Sequence, residues 1–194
     1  MKMDGRTARA ERTRNAIVEA HMKLIESGDL RPTADRIAKA AGVSLRALWS
    51  HFADMDTLYE ASSRRLLDRG AGLAEPIPPD LPLPRRIELY CERRATLLEE
   101  LAPAARATQL KVPFSPALQL FRRVTIDRLR AEIGALFAPE IAGDAELLAA
   151  MTATSMWPLW GTWRDGMGLT AAEARAALIR TITALLARSS AADR

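Results

Sequence analysis

Apolar residues recur along this chain at the period of a helix. Ile17, Ala20, His21, Leu24 and Ile25 mark one face of a helix expected over about residues 10–27, and Gly28 stops it. Residues 1–9, with Lys2, Arg6 and Arg9, read as a flexible arm ahead of it. Thr33 is placed to cap a short second helix with Ile37 and Ala41 inward, ended by Gly42. Ser44 is placed to cap a third helix reaching Phe52. Asp54 caps a fourth, to about Gly70, with Leu58, Ala61, Leu66 and Leu67 inward.

Residues 70–84 then break the pattern with Gly70, Gly72, Pro76, Pro78, Pro79, Pro82 and Pro84. Helices resume over about 83–101, 103–110, 116–137, 144–166 and 170–189, with Thr170 and Glu173 spaced as a capping box. The sum is about nine helices, no convincing strand and no internal repeat. The expected architecture is all-α, with a three-helix N-terminal domain over 1–54 and a helical C-terminal domain over 55–194.

Charge is unevenly spread. Residues 1–52 carry 10 basic and 6 acidic side chains; residues 53–194 carry 18 of each. The whole formal excess of +4 therefore lies in the first quarter of the chain, as a module that neutralises phosphates requires. No segment runs about 18 residues without a charge, so no membrane span is expected. The single cysteine, Cys91, rules out an intramolecular disulfide and a cysteine metal cage, and its expected role is a small buried hydrophobe. A cytoplasmic protein is the simplest expectation.

One segment meets several packing demands together. In Thr33-Ala-Asp-Arg-Ile-Ala-Lys-Ala-Ala-Gly-Val-Ser-Leu-Arg-Ala-Leu-Trp-Ser-His-Phe52, Ala38 is small where two helices would cross. Gly42 follows four residues later, where a tight turn needs positive φ. Val43 fills the space beneath the turn, and Leu48 packs back on Ile37. This spacing is that of a helix-turn-helix. Its second helix would offer Ser44, Leu45, Arg46, Ala47, Trp49, Ser50 and His51 to double-stranded DNA, with Thr33 and the amides that it caps on the backbone. Arg46, the one long cation among them, has two readings: a bidentate contact to guanine, or a phosphate contact. Leu45 and Ala47 suit thymine methyls. His51 either meets the backbone or packs as a cap on the domain. Arg6, Arg9, Arg12 and Arg14 are either a solvated tail, the default, or further contacts to phosphates or a minor groove.

The run from Arg12 to Leu58 resembles the DNA-binding domain of the TetR (tetracycline-repressor-like) family. The likeness rests on Ile37-Ala38, Ala41-Gly42-Val43-Ser44, the aromatic Trp49, His51-Phe52 and Leu58. It implies a homodimeric, ligand-responsive repressor of a palindromic operator, with a C-terminal domain that takes a small-molecule effector. It also implies dimerisation through the last two helices, where Leu147, Met151, Thr154 and Pro158 mark one stripe and Ala174, Leu178, Ile182 and Leu185 the other. Two positions depart from the family pattern. Trp49 stands where a Tyr hydroxyl is usual, and Met55 where a Lys commonly anchors a phosphate, which implies weaker backbone contacts.

Candidate effector residues lie in the C-terminal half. Ile87, Tyr90, Cys91, Arg94, Leu97, Leu98 and Leu101 share one helical face, and Arg94 interrupts an apolar line. Either it is a cation inside a ligand pocket, or it pairs with a carboxylate or snorkels outward. The helix over 116–137 has apolar residues on two sides: Leu118, Phe121, Thr125 and Leu129, and Leu120, Val124, Ile133 and Phe137. That pattern predicts burial on both faces, and in resembling folds such a helix lines the pocket. In Met156–Trp163, Pro158 should kink a helix, and three Trp crowd around it. They serve either core and interface packing or an aromatic pocket wall. The candidate ligand set is therefore Tyr90, Arg94, Phe121, Thr125, Met151 and Trp157.

Other function classes find little support. The two histidines, His21 and His51, both fall in the N-terminal segment. No Gly-rich phosphate loop and no His/Glu metal spacing is present, so neither a cofactor nor catalysis is expected. The alternatives are a partner-binding helical bundle, separable by its lack of salt-dependent DNA affinity, and, behind it, an all-α enzyme.

Overall fold

The computed structural model describes residues 5–73, 76–109 and 111–192. They form ten α-helices, with no strand among the described residues: α1 (Gly5–Glu26), α2 (Ala34–Ala41), α3 (Leu45–His51), α4 (Met55–Leu73), α5 (Leu83–Gln109), α6 (Pro116–Leu136), α7 (Ala138–Ile141), α8 (Ala145–Thr154), α9 (Trp157–Gly161) and α10 (Ala171–Ala192). A 3-10 turn (Val112–Phe114) precedes α6, and a turn of π-helix (Thr162–Gly166) follows α9. No helix among the described residues is long and apolar enough to cross a membrane.

The expected caps are in place. The Asp54 carboxylate accepts from the Thr57 amide at 2.8 Å, opening α4. Glu173 accepts from the amide and the hydroxyl of Thr170 at 2.8 and 2.7 Å, and Thr170 Oγ1 accepts from the Glu173 amide in return, a closed capping box for α10.

Several boundaries differ from the sequence expectation. Residues 5–9 are the first turn of α1 rather than an arm, while Lys2 and the Arg6 side chain lie outside the described residues. Likewise α4 continues through Gly70 and Gly72 to Leu73. The two helices expected over 83–101 and 103–110 are one, because α5 carries Pro103 in its interior. Conversely, the helix expected over 144–166 is broken at Ser155 and Met156. Pro158 does not kink it but sits in the first turn of α9, where a missing N–H costs nothing. The short α7 was not visible in the periodicity.

The described chain divides into two compact units. One comprises Met1–Arg69 and Pro103–Phe121, the other Gly70–Ala102 and Arg122–Arg194. In the first, Ile17, Val18, Met22, Ile37, Ala38, Leu48, Phe52, Leu58 and Ala61 make one core. A second cluster of Ile25, Tyr59, Ala107 and Leu118 joins the 103–121 segment to it. Lys111 lies over the Tyr59 ring at 4.4 Å and pairs with Asp56 at 3.5 Å. His21 is wholly buried between α1 and α4, edge-on to Tyr59. Its Nδ1 is 2.8 Å from Ser62 Oγ, whose single proton goes to the Leu58 carbonyl. Nδ1 therefore donates, and Nε2 is left as an unprotonated acceptor with no partner. Burial pulls the His21 pKa down to about 4.

In the second unit α5, α6, α7, α8, α9 and α10 enclose a core that includes Tyr90, Leu98, Ile133, Phe137, Met151, Trp160, Leu178 and Ile182. Arg86 is buried but fully matched. Its guanidinium donates to the carbonyls of Leu81 (2.9 Å) and Leu136 (2.7 Å) and to both carboxylate oxygens of Glu140. Such pairing is the condition on which a buried charge is tolerated. The helix α6 is not buried on both faces as expected: Leu118, Leu129 and Ile133 are inward, whereas Leu120 and Val124 are exposed.

Candidate functional site

The segment from Thr33 to Phe52 is a two-helix unit whose geometry is set at three points. Thr33 Oγ1 accepts from the Arg36 amide at 3.4 Å and opens α2. Gly42 closes it at φ 68°, ψ 31°, with the Val43 amide returning to the Ala38 carbonyl at 3.0 Å. Only glycine takes that left-handed conformation without a Cβ penalty of about 1–2 kcal/mol. Two residues later Ser44 Oγ accepts from the Ala47 amide at 3.1 Å and opens α3; a cap of this kind is worth about 1 kcal/mol. Between the helices Ile37, Ala38 and Leu48 are buried, with Val43 packed against them, so the four packing demands read from the sequence are met.

Sealing Leu48 fixes the rotation of α3 and decides what it shows outward. Leu45 (37% exposed) and Trp49 (40%), one turn apart, are large apolar side chains left in solvent. Ser44, Arg46 and Ser50 are exposed beside them, with Ala47 and His51 half-exposed. Thr33 is exposed at the start of α2. The eight candidate residues thus lie on the caps and outer side of one helical pair. Of the N-terminal arginines, Arg14 is drawn over the Phe52 ring at 4.8 Å, a cation–π contact that packs it on the domain. Arg9 and Arg12 are exposed on α1. Two further cations of α2 carried no sequence signal: Lys39, exposed at its end, and Arg36, paired with Asp29 at 2.7 Å.

The six candidate ligand residues divide between the two units. Phe121 belongs to the first unit; Tyr90, Arg94, Thr125, Met151 and Trp157 belong to the second. Met151 is sealed in the core, and Trp157 is half-buried against it. Tyr90 is wholly buried, edge-on to Phe137, and its hydroxyl donates to Ser155 Oγ at 2.7 Å. Burial raises the Tyr90 pKa to about 12, so the phenol stays protonated. Arg94 Nε donates to the carbonyl of the same Ser155. Two residues missed in the sequence thus organise this region. Ser155, at the break between α8 and α9, joins Tyr90 to Arg94. Glu99 accepts from Trp160 Nε1 at 2.7 Å and from Arg164 Nε at 2.8 Å, tying α5 to the Trp-rich segment. Pro158 was the only available signal for the first, because a helix cannot run smoothly into it. Burial likewise pushes the Cys91 thiol up to about 12, leaving it inert.

No protein-family model matches this chain, and no curated protein matches its sequence. Solved structures do match. A TetR-family transcriptional regulator from Streptomyces coelicolor superposes with a TM-score of 0.72 at 21% identity, covering 93% of this chain and 83% of that one. A transcriptional regulator from Rhodococcus sp. Rha1 gives 0.67 at 22% identity, over 91% of this chain and 95% of that one. The multidrug binding protein EbrR, complexed with imidazole, gives 0.56 at 18% identity, over 87% and 94%. The chain has the fold of the TetR-family transcriptional regulators.

Proposed function

We propose that the protein is a DNA-binding transcriptional regulator that places α3 in the major groove and responds to a small-molecule effector held in its second unit. The outward face of α3 carries this reading. A short helix capped at its start, its rotation fixed by a buried Leu48, leaves Leu45 and Trp49 in solvent next to Arg46 and Ser50. Apolar groups at that exposure weaken a free surface, but they suit thymine methyls and sugar edges in a groove. The basic excess confined to residues 1–52 supports the same partner. Shared fold with regulators supports the class, although function follows the site rather than the fold.

The homodimer is part of the proposal. The stripes expected to meet a second copy are largely consumed within the chain: Leu147, Met151, Ala174, Leu178 and Ile182 are buried in its own core. The outward side of the last helices is instead built of small residues, with Ala149 and Ala153 on α8 and Ala172, Ala176, Thr183 and Ala184 on α10, all exposed. Such a surface lets two helix pairs approach closely. A two-fold dimer doubles the few base pairs that one seven-residue helix reads. The effector would act by binding better to the dimer that is not competent for DNA, shifting the population away from the operator.

Selection of genomic fragments by the purified protein tests this directly. Enrichment of a palindrome with half-sites about 10 bp or a multiple apart, with affinity falling steeply as salt rises, is the expected result. Failure to enrich any palindrome at low salt would overturn it.

A further inference from the structure

Among the described residues, inward and half-inward arginines of the second unit are matched to carboxylates, with one exception. Arg86 is held by Glu140, Arg93 by Glu132 and Arg164 by Glu99. Arg94 has no Asp or Glu within ion-pair distance among the described residues. Glu132, the acidic residue that most favours its charge, is committed to Arg93.

The surroundings of Arg94 are costly for a lone cation. It stands on α5 one turn from Tyr90 and Cys91 and one turn from Leu98, all closed to solvent. Burial lowers its pKa, but a guanidinium begins so high that it stays charged. The side chain is held rather than loose: Nε donates to the Ser155 carbonyl, and Ser155 is itself fixed by Tyr90 and by its own donation to the Met151 carbonyl at 2.8 Å. That leaves the two Nη groups. They have no partner among the described residues, yet they are not among the atoms sealed from solvent. The outcome is an oriented half of a guanidinium fork, reachable from outside and backed by an apolar, aromatic core.

We infer that the Nη groups of Arg94 recognise the effector, and that the effector is a monocarboxylate on an apolar body. The inference rests on the reading of the second unit as effector-binding. A carboxylate matches the fork with two parallel hydrogen bonds and neutralises one charge. A phosphate dianion would need a second cation, and the neighbouring Arg93 is already neutralised by Glu132. The Tyr90 hydroxyl is spent on Ser155, so it orients the arm through Ser155 rather than meeting the ligand.

Isothermal titration calorimetry on the full chain decides the matter, with octanoate and benzoate as probes, each against its own amide. At least one acid should bind at least tenfold more tightly than its amide. Arg94→Gln should bring that ratio below twofold while leaving affinity for the amide unchanged, with the helical circular dichroism spectrum retained. Arg94→Lys, which keeps the charge and loses the fork, should fall between the two, and it stands in if Arg94→Gln does not fold. Equal binding of acid and amide, an acid preference undiminished in the variant that folds, or no measurable binding of either acid would overturn the inference. Binding of each preparation to the selected DNA is measured separately. Intact DNA binding without acid preference removes the ligand class alone, whereas absent DNA binding in the unaltered protein removes the regulator.

Discussion

In the proposed complex with DNA, the Arg46 side chain separates two kinds of contact. If the guanidinium reaches the O6 and N7 edge of a guanine, Arg46→Ala should cost about 1–3 kcal/mol at one base pair and leave the others unchanged. Competition between the selected site and its single-base variants measures this. A uniform loss over all sequences would identify a phosphate contact instead. The outward residues of α3 were legible in the sequence because one buried residue fixes the rest. Once Leu48 packs on Ile37, the helical period sets the directions of Leu45, Arg46, Trp49 and Ser50. Ser155 was not legible. Its partners Tyr90 and Arg94 lie 65 and 61 positions away in the chain, and no local pattern encodes such a pairing.

Elements were legible where a cap or a stop is chemical, and less so where packing decides. Thr33, Gly42, Ser44, Asp54 and Thr170 all act at the helix ends where their side chains or backbone freedom suit them. The two prolines were harder. Pro103 removes a backbone hydrogen bond, yet α5 runs on to Gln109, where Ala107 is buried with Ile25, Tyr59 and Leu118. Tertiary burial outweighs the local cost there. At Pro158 the local rule holds, but the helix restarts instead of bending, since the ring's fixed φ suits a first turn. The α6 face carrying Leu120 and Val124 shows the limit of periodicity, which registers an apolar residue without saying whether anything covers it.

Over the whole molecule the proposed assembly depends on small side chains at the outward face of α10. Ala176→Glu together with Ala184→Glu places like charges where two copies would meet. Sedimentation should then shift from dimer to monomer with the melting temperature of the chain little changed, and operator affinity should fall. An unchanged mass would place the dimer contact elsewhere. A different property of the whole chain follows from His21, the imidazole enclosed between α1 and α4. A proton is a ligand of the unfolded chain that the folded chain refuses. Between pH 6.5, the ordinary histidine value, and about 4, the unfolded form binds that proton at His21 and the native form does not. Stability is therefore complete above this window and declines as pH falls through it, by on the order of 3 kcal/mol in all. Urea unfolding at pH 7 and pH 4.5 should show the loss, and His21→Gln should flatten it. Acidity would thus loosen the unit that carries α3 from within its own core, a route to release that needs no effector.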